Sequence, residues 1–538
     1  MRKLSEDSGL QLSYNTEDDD DETETEKCPY DTYKKHRESI IENDGENRNP
    51  SEYFSAKKSI FFLVNYQLTA SVLTVPMIVN VCGIIPTVII VVLMYYFTIS
   101  SSFFILKCKE ITFRYSYSVY SFLSGGRCFL LANKIIFFFC AVLSIVENMG
   151  LFSDAVKSFS ILFYGTETIV VLGVNLSKIL SVLMVAVVLS RSFSGGNKDI
   201  LIRYCAVNTA SVFCLVLVLV ILAVFKDENA GSGLTRDSLL PSSSTSFKSF
   251  TSCIISLLNI YTFQHKFFSL YLPLKPKSSN NMKSTVVLAS LTTTFILLLI
   301  SLTSIYLYNG KISDILLVLI REDMRGFIKS EDYLTVSVLF ILNCAYMLKS
   351  AYSVLFFAGD VKKNLADLSY FFTCEKRRRE KSERKEEELI DLECGCGVEN
   401  RVWTSRDFSL NSRGSDNYGY NNNGDYLLRN IEYNTADESS PVSVGKWLKL
   451  LSIFLICVLG LFVNKIIYIQ EIMGGVIGNY LCFLGPGLFF RSITKIQELK
   501  HLFCLYKFKA LIFIFIGVFI SFLFCYNQIL KFCCCIVI

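Results

Sequence analysis

The sequence predicts an all-α, multi-pass membrane protein of about eleven helices, two of them interrupted part-way. Three observations predict it. First, 52% of the 538 residues are hydrophobic and only 19% are charged, against about a quarter charged in soluble proteins. Second, the charges gather in two tracts, so the remainder is almost free of them, and the mean hydropathy is +0.42. Third, apolar runs near the ~20 residues needed to cross a bilayer recur along the chain.

Taken in order, residues 1–58 form a polar tail with an acidic run from Asp18 to Glu26 and no periodicity, so disorder is expected. It has no apolar segment of the kind a signal peptide carries. Apolar spans are expected at 59–81, 84–106, 128–152, 170–190, 204–225, 247–264, 285–308 and 333–358, which make up a membrane region over 59–359. Residues 360–445 interrupt the series with "EKRRREKSERKEEE" and "GSDNYGYNNNGDY". They read as a charged, largely disordered insertion containing at most one helix. Three further spans, 447–464, 472–490 and 508–530, complete the region 446–538.

Lysine and arginine set the orientation. With a cytosolic N-terminus, Lys107, Lys109, Arg114 and Arg127, then Arg191, Lys198 and Arg203, then Lys266, Lys275, Lys277 and Lys283 all fall on the cytosolic side. The charged insertion and Arg491, Lys495, Lys500 and Lys507 join them. An odd number of spans then places the C-terminus outside the cytosol. This topology argues against prenylation of the terminal Cys535-Ile536-Val537-Ile538, because that modification acts on cytosolic ends.

The 19 cysteines lie mostly inside apolar runs and read as small hydrophobes. Cys394 and Cys396 are too sparse for a metal site. No cofactor, metal or catalytic activity is expected, since no nucleophile–base pair or phosphate loop stands out. The net charge of +5 gives no footing for nucleic acid; the expected surroundings are the lipid bilayer.

Polar groups inside spans are costly and therefore candidates for function. Lys134 and Lys178 lie near span ends, where a lysine reaches the interface. Glu147 and Asn148 in span 3 suggest an outer vestibule. Lys349 in span 8, with Asn343 six residues earlier, suggests a pathway-lining cation. Span 1 carries more. "NYQLTAS" sets Asn65, Thr69 and Ser71 around Ala70 in the middle of an apolar run, with Pro76 beyond. Irregular backbone is tolerated in a bilayer only where it lines a cavity. Transporters built from inverted repeats use such breaks to bind substrate and ions. Span 6, five spans later, is interrupted likewise by Asn259, Tyr261 and Thr262, and ends at Gln264-His265-Lys266.

At these residues the chain resembles the amino acid/auxin permease (AAAP) family, which includes sodium-coupled neutral amino acid transporters and vacuolar amino acid transporters. Asn65 takes the place of the Asn in that family's first helix, and "TASVLTVP" takes the place of its glycine motif. "FQHKFFSLYLPLKPKSSNNMKS" is similar to the family's sixth-span segment, with His265 at its histidine. "SIYLYNGKISDILL" and "EIMGGVIGNYLCFLGPGLFF" resemble the ends of its seventh and tenth helices. The resemblance covers most of 59–530 outside the insertion. It implies a LeuT-type fold, with spans 1–5 and 6–10 as a 5+5 inverted repeat plus one extra helix. It further implies alternating access, with an amino acid held between spans 1 and 6.

The function so implied is secondary active transport of neutral or small amino acids at a plasma-membrane or vacuolar/lysosomal-type membrane. Asn65, Asn343 and Lys349 are the ion-coupling candidates, and the coupling ion is H+ or Na+. Thr69, Ala70, Ser71, Asn259, Tyr261 and Thr262 are the substrate candidates; Glu147, Asn148 and His265 are further pathway candidates. Two departures stand out. Thr69 and Ser71 replace the family's glycines, which narrows the site. Lys349 near the family's cation position opposes sodium and favours protons or exchange. The alternative function is an amino acid sensor that signals through its cytosolic segments.

Overall fold

The first apolar run is not one helix. α1 (Ala56–Gln67) starts at Ser55, whose hydroxyl accepts the Lys58 amide at 3.3 Å, a side-chain cap on an otherwise unpaired donor. It stops at Leu68. A single 3-10 turn, Ala70–Leu73, follows, and helix resumes as α2 (Val75–Cys82). Pro76 lies in the first turn of α2, where its missing N–H has no intrahelical partner to lose. The structure, a computed structural model, describes residues 54–112, 114–166, 169–171, 174–194, 200–224, 239–240, 247–275, 278–308, 312, 315–329, 333–394, 446–462, 466–496 and 504–537. The expectations for most of the N-terminal tail and for 395–445 therefore lie outside the described residues.

α3 (Ile84–Thr112) leads to α4 (Tyr117–Tyr164), 48 residues long. α4 kinks at Gly125 and Gly126; Gly126 has φ 66° and ψ −149°, a conformation open essentially to glycine. The fourth apolar run was expected to be helical from residue 170. It opens instead with an antiparallel two-residue pair, Val170–Val171 against Val174–Asn175, and α5 spans only Leu176–Ser194. The three β-branched valines, Val170, Val171 and Val174, favour the extended pair.

α6 (Ile200–Val224) precedes the second broken element. α7 (Phe247–Ile260) ends at the non-helical stretch from Tyr261 to Phe263, followed by a 3-10 turn at Gln264–Lys266 and the short α8 (Phe267–Tyr271). α9 (Ser279–Tyr308), α10 (Leu316–Lys329) and α11 (Tyr333–Cys394) come next. α11 runs without interruption past residue 359, so the start of the charged insertion continues the helix. α12 (Lys446–Phe462) is 17 residues long. α13 (Ile466–Ile472) passes through two π segments, Met473–Gly478 and Tyr480–Leu484, into α14 (Gly485–Ile496); α15 (Cys504–Val537) closes the chain.

The architecture is that of an all-α, multi-pass membrane protein. Among the described residues, eight helical runs are long and apolar enough to cross a membrane. Of the eleven expected spans, those absent from the eight are the two broken elements and the shorter α12. Large apolar side chains also face outward along the helices. α3 exposes Ile89, Val92, Leu93 and Tyr96 while burying Thr87, Thr98, Ser101 and Ser102. An apolar outer stripe over a polar inner one suits hydrocarbon as solvent.

The broken elements lie inside. α4 and α11 pack along each other, α1 packs on α9, and the turn Ala70–Leu73 sits between α7 and α4. The π segment approaches α7 so closely that a Cβ on Gly474 would stand 1.9 Å from the Ile255 carbonyl oxygen. Only glycine permits that contact, which fixes the wall beside the second break.

Candidate functional site

Breaking α1 frees backbone carbonyls, which in a bilayer must find partners inside the protein. Asn208 of α6 supplies most of them. Its Nδ2 donates to Asn65 O (3.0 Å), Asn65 Oδ1 (3.1 Å) and Leu68 O (3.1 Å). Thr209 donates to Asn65 Oδ1 at 2.9 Å, and Tyr204 reaches Asn65 O at 3.5 Å. From α11, the buried Lys349 ammonium lies 3.4 Å from Leu68 O and 3.5 Å from Thr69 O. The place where freed carbonyls converge is thus filled by an amide and an ammonium.

On the other side of the turn runs a chain of hydrogen bonds. Asn259 Nδ2 of α7 donates to Ser71 Oγ (3.0 Å), and Ser71 donates to Glu147 Oε1 of α4 (3.3 Å). Gln470 Nε2 of α13 donates to the same carboxylate oxygen at 2.8 Å, and Thr74 donates to Gln470 Oε1 at 2.8 Å. Thr69 Oγ1 stands 3.2 Å from Ser71 Oγ. Four elements, the turn, α4, α7 and α13, are therefore joined around one buried carboxylate. Hydrogen bonds to a charged acceptor in low dielectric are among the stronger ones.

Between the two breaks lies a narrow cavity of about 20 Å³, lined by Thr69, Glu147, Asn259, Thr262 and His265, with Phe357 and Met473 as apolar walls. At one end, Tyr66 OH is 2.5 Å from His265 Nε2, and His265 Nδ1 is buried with no hydrogen-bond partner among the described residues. Outside the cavity lining, two ion pairs hold the surrounding elements, Lys266 with Asp360 and Lys134 with Asp367. Both tie to α11, one from the 3-10 turn after α7 and one from α4.

The predicted residues divide clearly. Thr69, Asn259, Thr262, Glu147 and His265 line the cavity, Ser71 bridges its two sides, and Ala70 is buried in the turn. Asn65 and Lys349 sit at the carbonyls of the break. Tyr261 points elsewhere, its hydroxyl 2.8 Å from Thr294 of α9. Asn148 and Asn343 each donate back into their own helix, to Ser144 O and Leu339 O, and neither lines the cavity. Lys134, expected to reach the interface, is buried in its ion pair; Lys178 bonds Leu461 O at 3.1 Å.

Glu147 was placed in an outer vestibule on the expectation of a span at 128–152. The helix instead continues from the Gly126 kink to Tyr164, which puts Glu147 near its middle and level with Ser71. Tyr204, Asn208, Thr209, Thr74 and Gln470 were not singled out from sequence. Their signal was faint: "VNTAS" and "YIQEI" are short polar interruptions of the same kind that many packed helices tolerate. Comparison with known proteins finds no family model and no curated protein that matches this chain.

Proposed function

We propose that the chain is a secondary transporter of amino acids working by alternating access, with eleven spans in a LeuT-type 5+5 arrangement plus one helix and a cytosolic N-terminus. The observation that carries the reading is the pairing of two broken elements, five spans apart, around one polar cavity. A helix broken in hydrocarbon is costly, and two facing breaks whose polar groups converge on a shared space make sense as a binding site. The resemblance to the amino acid/auxin permease family points the same way.

Lys349 bears on coupling. An ammonium at the carbonyls of Leu68 and Thr69 occupies space and charge that a sodium ion would need, so the driving force is a proton gradient or counter-substrate. The test is uptake of labelled amino acids into proteoliposomes under imposed gradients. Uptake driven by a proton gradient or by internal amino acid, and unchanged by sodium, supports the reading. Uptake that requires sodium refutes the coupling, and absence of flux under every gradient refutes transport.

A second reading, an amino acid sensor of the same fold, is favoured by one observation. Ser71 stands where the resembled family has glycine and bridges Asn259 to Glu147, tying the two breaks together. Ligand binding without flux would select it.

A further inference from the structure

A carboxylate enclosed by protein inside a bilayer needs a cation or several donors. Glu147 is 2% exposed, and both of its donors, Ser71 and Gln470, go to Oε1. Oε2 accepts no hydrogen bond among the described residues. Lys349, the cation nearest the break, directs its ammonium to Leu68 O and Thr69 O instead. Glu147 is the one acidic or basic residue other than His265 that lines the cavity.

The competing acceptors are occupied. An ammonium entering beside a broken helix would ordinarily find the freed carbonyls. Here Asn65 O is taken by Asn208 and Tyr204, Leu68 O by Asn208 and Lys349, and Thr69 O by Lys349 and the Val72 amide. Two neutral donors, Thr69 and Asn259, also line the cavity.

We infer that Glu147 is the group that recognises the ammonium of the ligand. The ligand class is then a primary amine, an amino acid held through its ammonium by α4 and not through the backbone of the broken helix. This rests on the reading that the cavity takes an amino acid, whether for transport or for sensing. The carboxylate would meet the uncharged donors of Thr69 and Asn259, so both charged ends of a zwitterion have a complement.

The test is equilibrium binding to the purified full chain in detergent micelles, using pairs that differ only in the amine: L-alanine against L-lactate, and L-leucine against L-2-hydroxy-4-methylpentanoate. In the wild type the amino acid of a pair binds at least about tenfold tighter than its hydroxy acid, the scale of one charge-assisted contact. Glu147→Gln brings the two within about threefold, and Glu147→Asp, which keeps the charge, retains most of the preference. A wild type that holds both members of a pair equally overturns the inference alone, as does Glu147→Gln with its preference intact. Binding of no amino acid overturns the amino acid reading and this inference with it. The wild-type comparison needs no variant, so a Glu147→Gln chain that fails to fold leaves the inference open to refutation.

Discussion

Replacing Lys349 with Met separates what the buried ammonium does for the fold from what it does for the site. Its two carbonyl contacts, 3.4 and 3.5 Å, are longer than ordinary hydrogen bonds, so each is worth about 1 kcal/mol or less. A cation–π contact with Tyr346, 5.1 Å from the ring centroid, adds about 1 kcal/mol. Neither carbonyl is orphaned by the change. Leu68 O keeps Asn208 at 3.1 Å, and Thr69 O keeps the Val72 amide at 3.4 Å. Against this loss stands the removal of a buried ion, whose desolvation costs several kcal/mol, offset in part by its lost attraction to the buried Glu147 carboxylate, and Met fills nearly the same volume. Lys349→Met is therefore within about 1 kcal/mol of the wild type in stability. Thermal unfolding in micelles, followed by a thiol-reactive dye that reports exposure of buried Cys82, Cys108, Cys140 and Cys253, reads the difference. A Tm several degrees below the wild type would refute the reasoning and make Lys349 a structural clamp on the break.

Asn208→Leu removes the donor shared by three oxygens, and loses about 2–3 kcal/mol by leaving buried acceptors underserved; the same thermal assay should show a lower Tm. Gly474→Ala places a Cβ 1.9 Å from the Ile255 carbonyl oxygen, whereas Gly475→Ala presses on the Phe524 side chain at 2.3 Å. A backbone atom yields less than a ring, so the first should cost about 3 kcal/mol and the second less, as read by Tm and by monodispersity on gel filtration. Lys266→Ala and Asp360→Ala together should destabilise less than the sum of the two single changes. A double-mutant cycle should return a coupling of about 1–3 kcal/mol, since both side chains are only 18% exposed.

Which parts of this arrangement the sequence reveals follows from physical range. The breaks were legible because a polar cluster in an apolar run violates a strong constraint within a few residues: "NYQLTAS" and "LLNIYTFQHK" announce themselves locally. The partners of those clusters were not, because Asn208 and Gln470 satisfy groups 143 and 323 residues away in the chain. A lone amide in a helix looks the same whether it donates to its own preceding turn, as Asn343 does, or caps a distant break, as Asn208 does. The length of α4 was hidden for a related reason: hydropathy locates the centre of an apolar run, and α4 extends beyond its run at both ends. The short extended pair at Val170–Asn175 was hidden by the same apolar content that fits a helix.

Ser71 offers a final discrimination. Its hydroxyl both accepts from Asn259 (3.0 Å) and donates to Glu147 (3.3 Å), so it holds the two sides of the cavity together across the space a ligand would enter. A ligand that uses Asn259 and Glu147 must exchange these bonds for its own, and such exchanges net only about 1 kcal/mol each. Ser71→Gly removes the bridge, frees Asn259 Nδ2, and leaves Glu147 held by Gln470. It should lower stability by about 1–2 kcal/mol, from the lost hydrogen bonds and the added freedom of the unfolded chain, and raise the affinity for small amino acids several-fold. Titration calorimetry beside the thermal assay reads both quantities on one preparation. Opposite signs would show that the serine occludes the cavity. Affinity falling together with stability would show that the hydroxyl is itself a contact for the ligand, and the occluding role would be wrong.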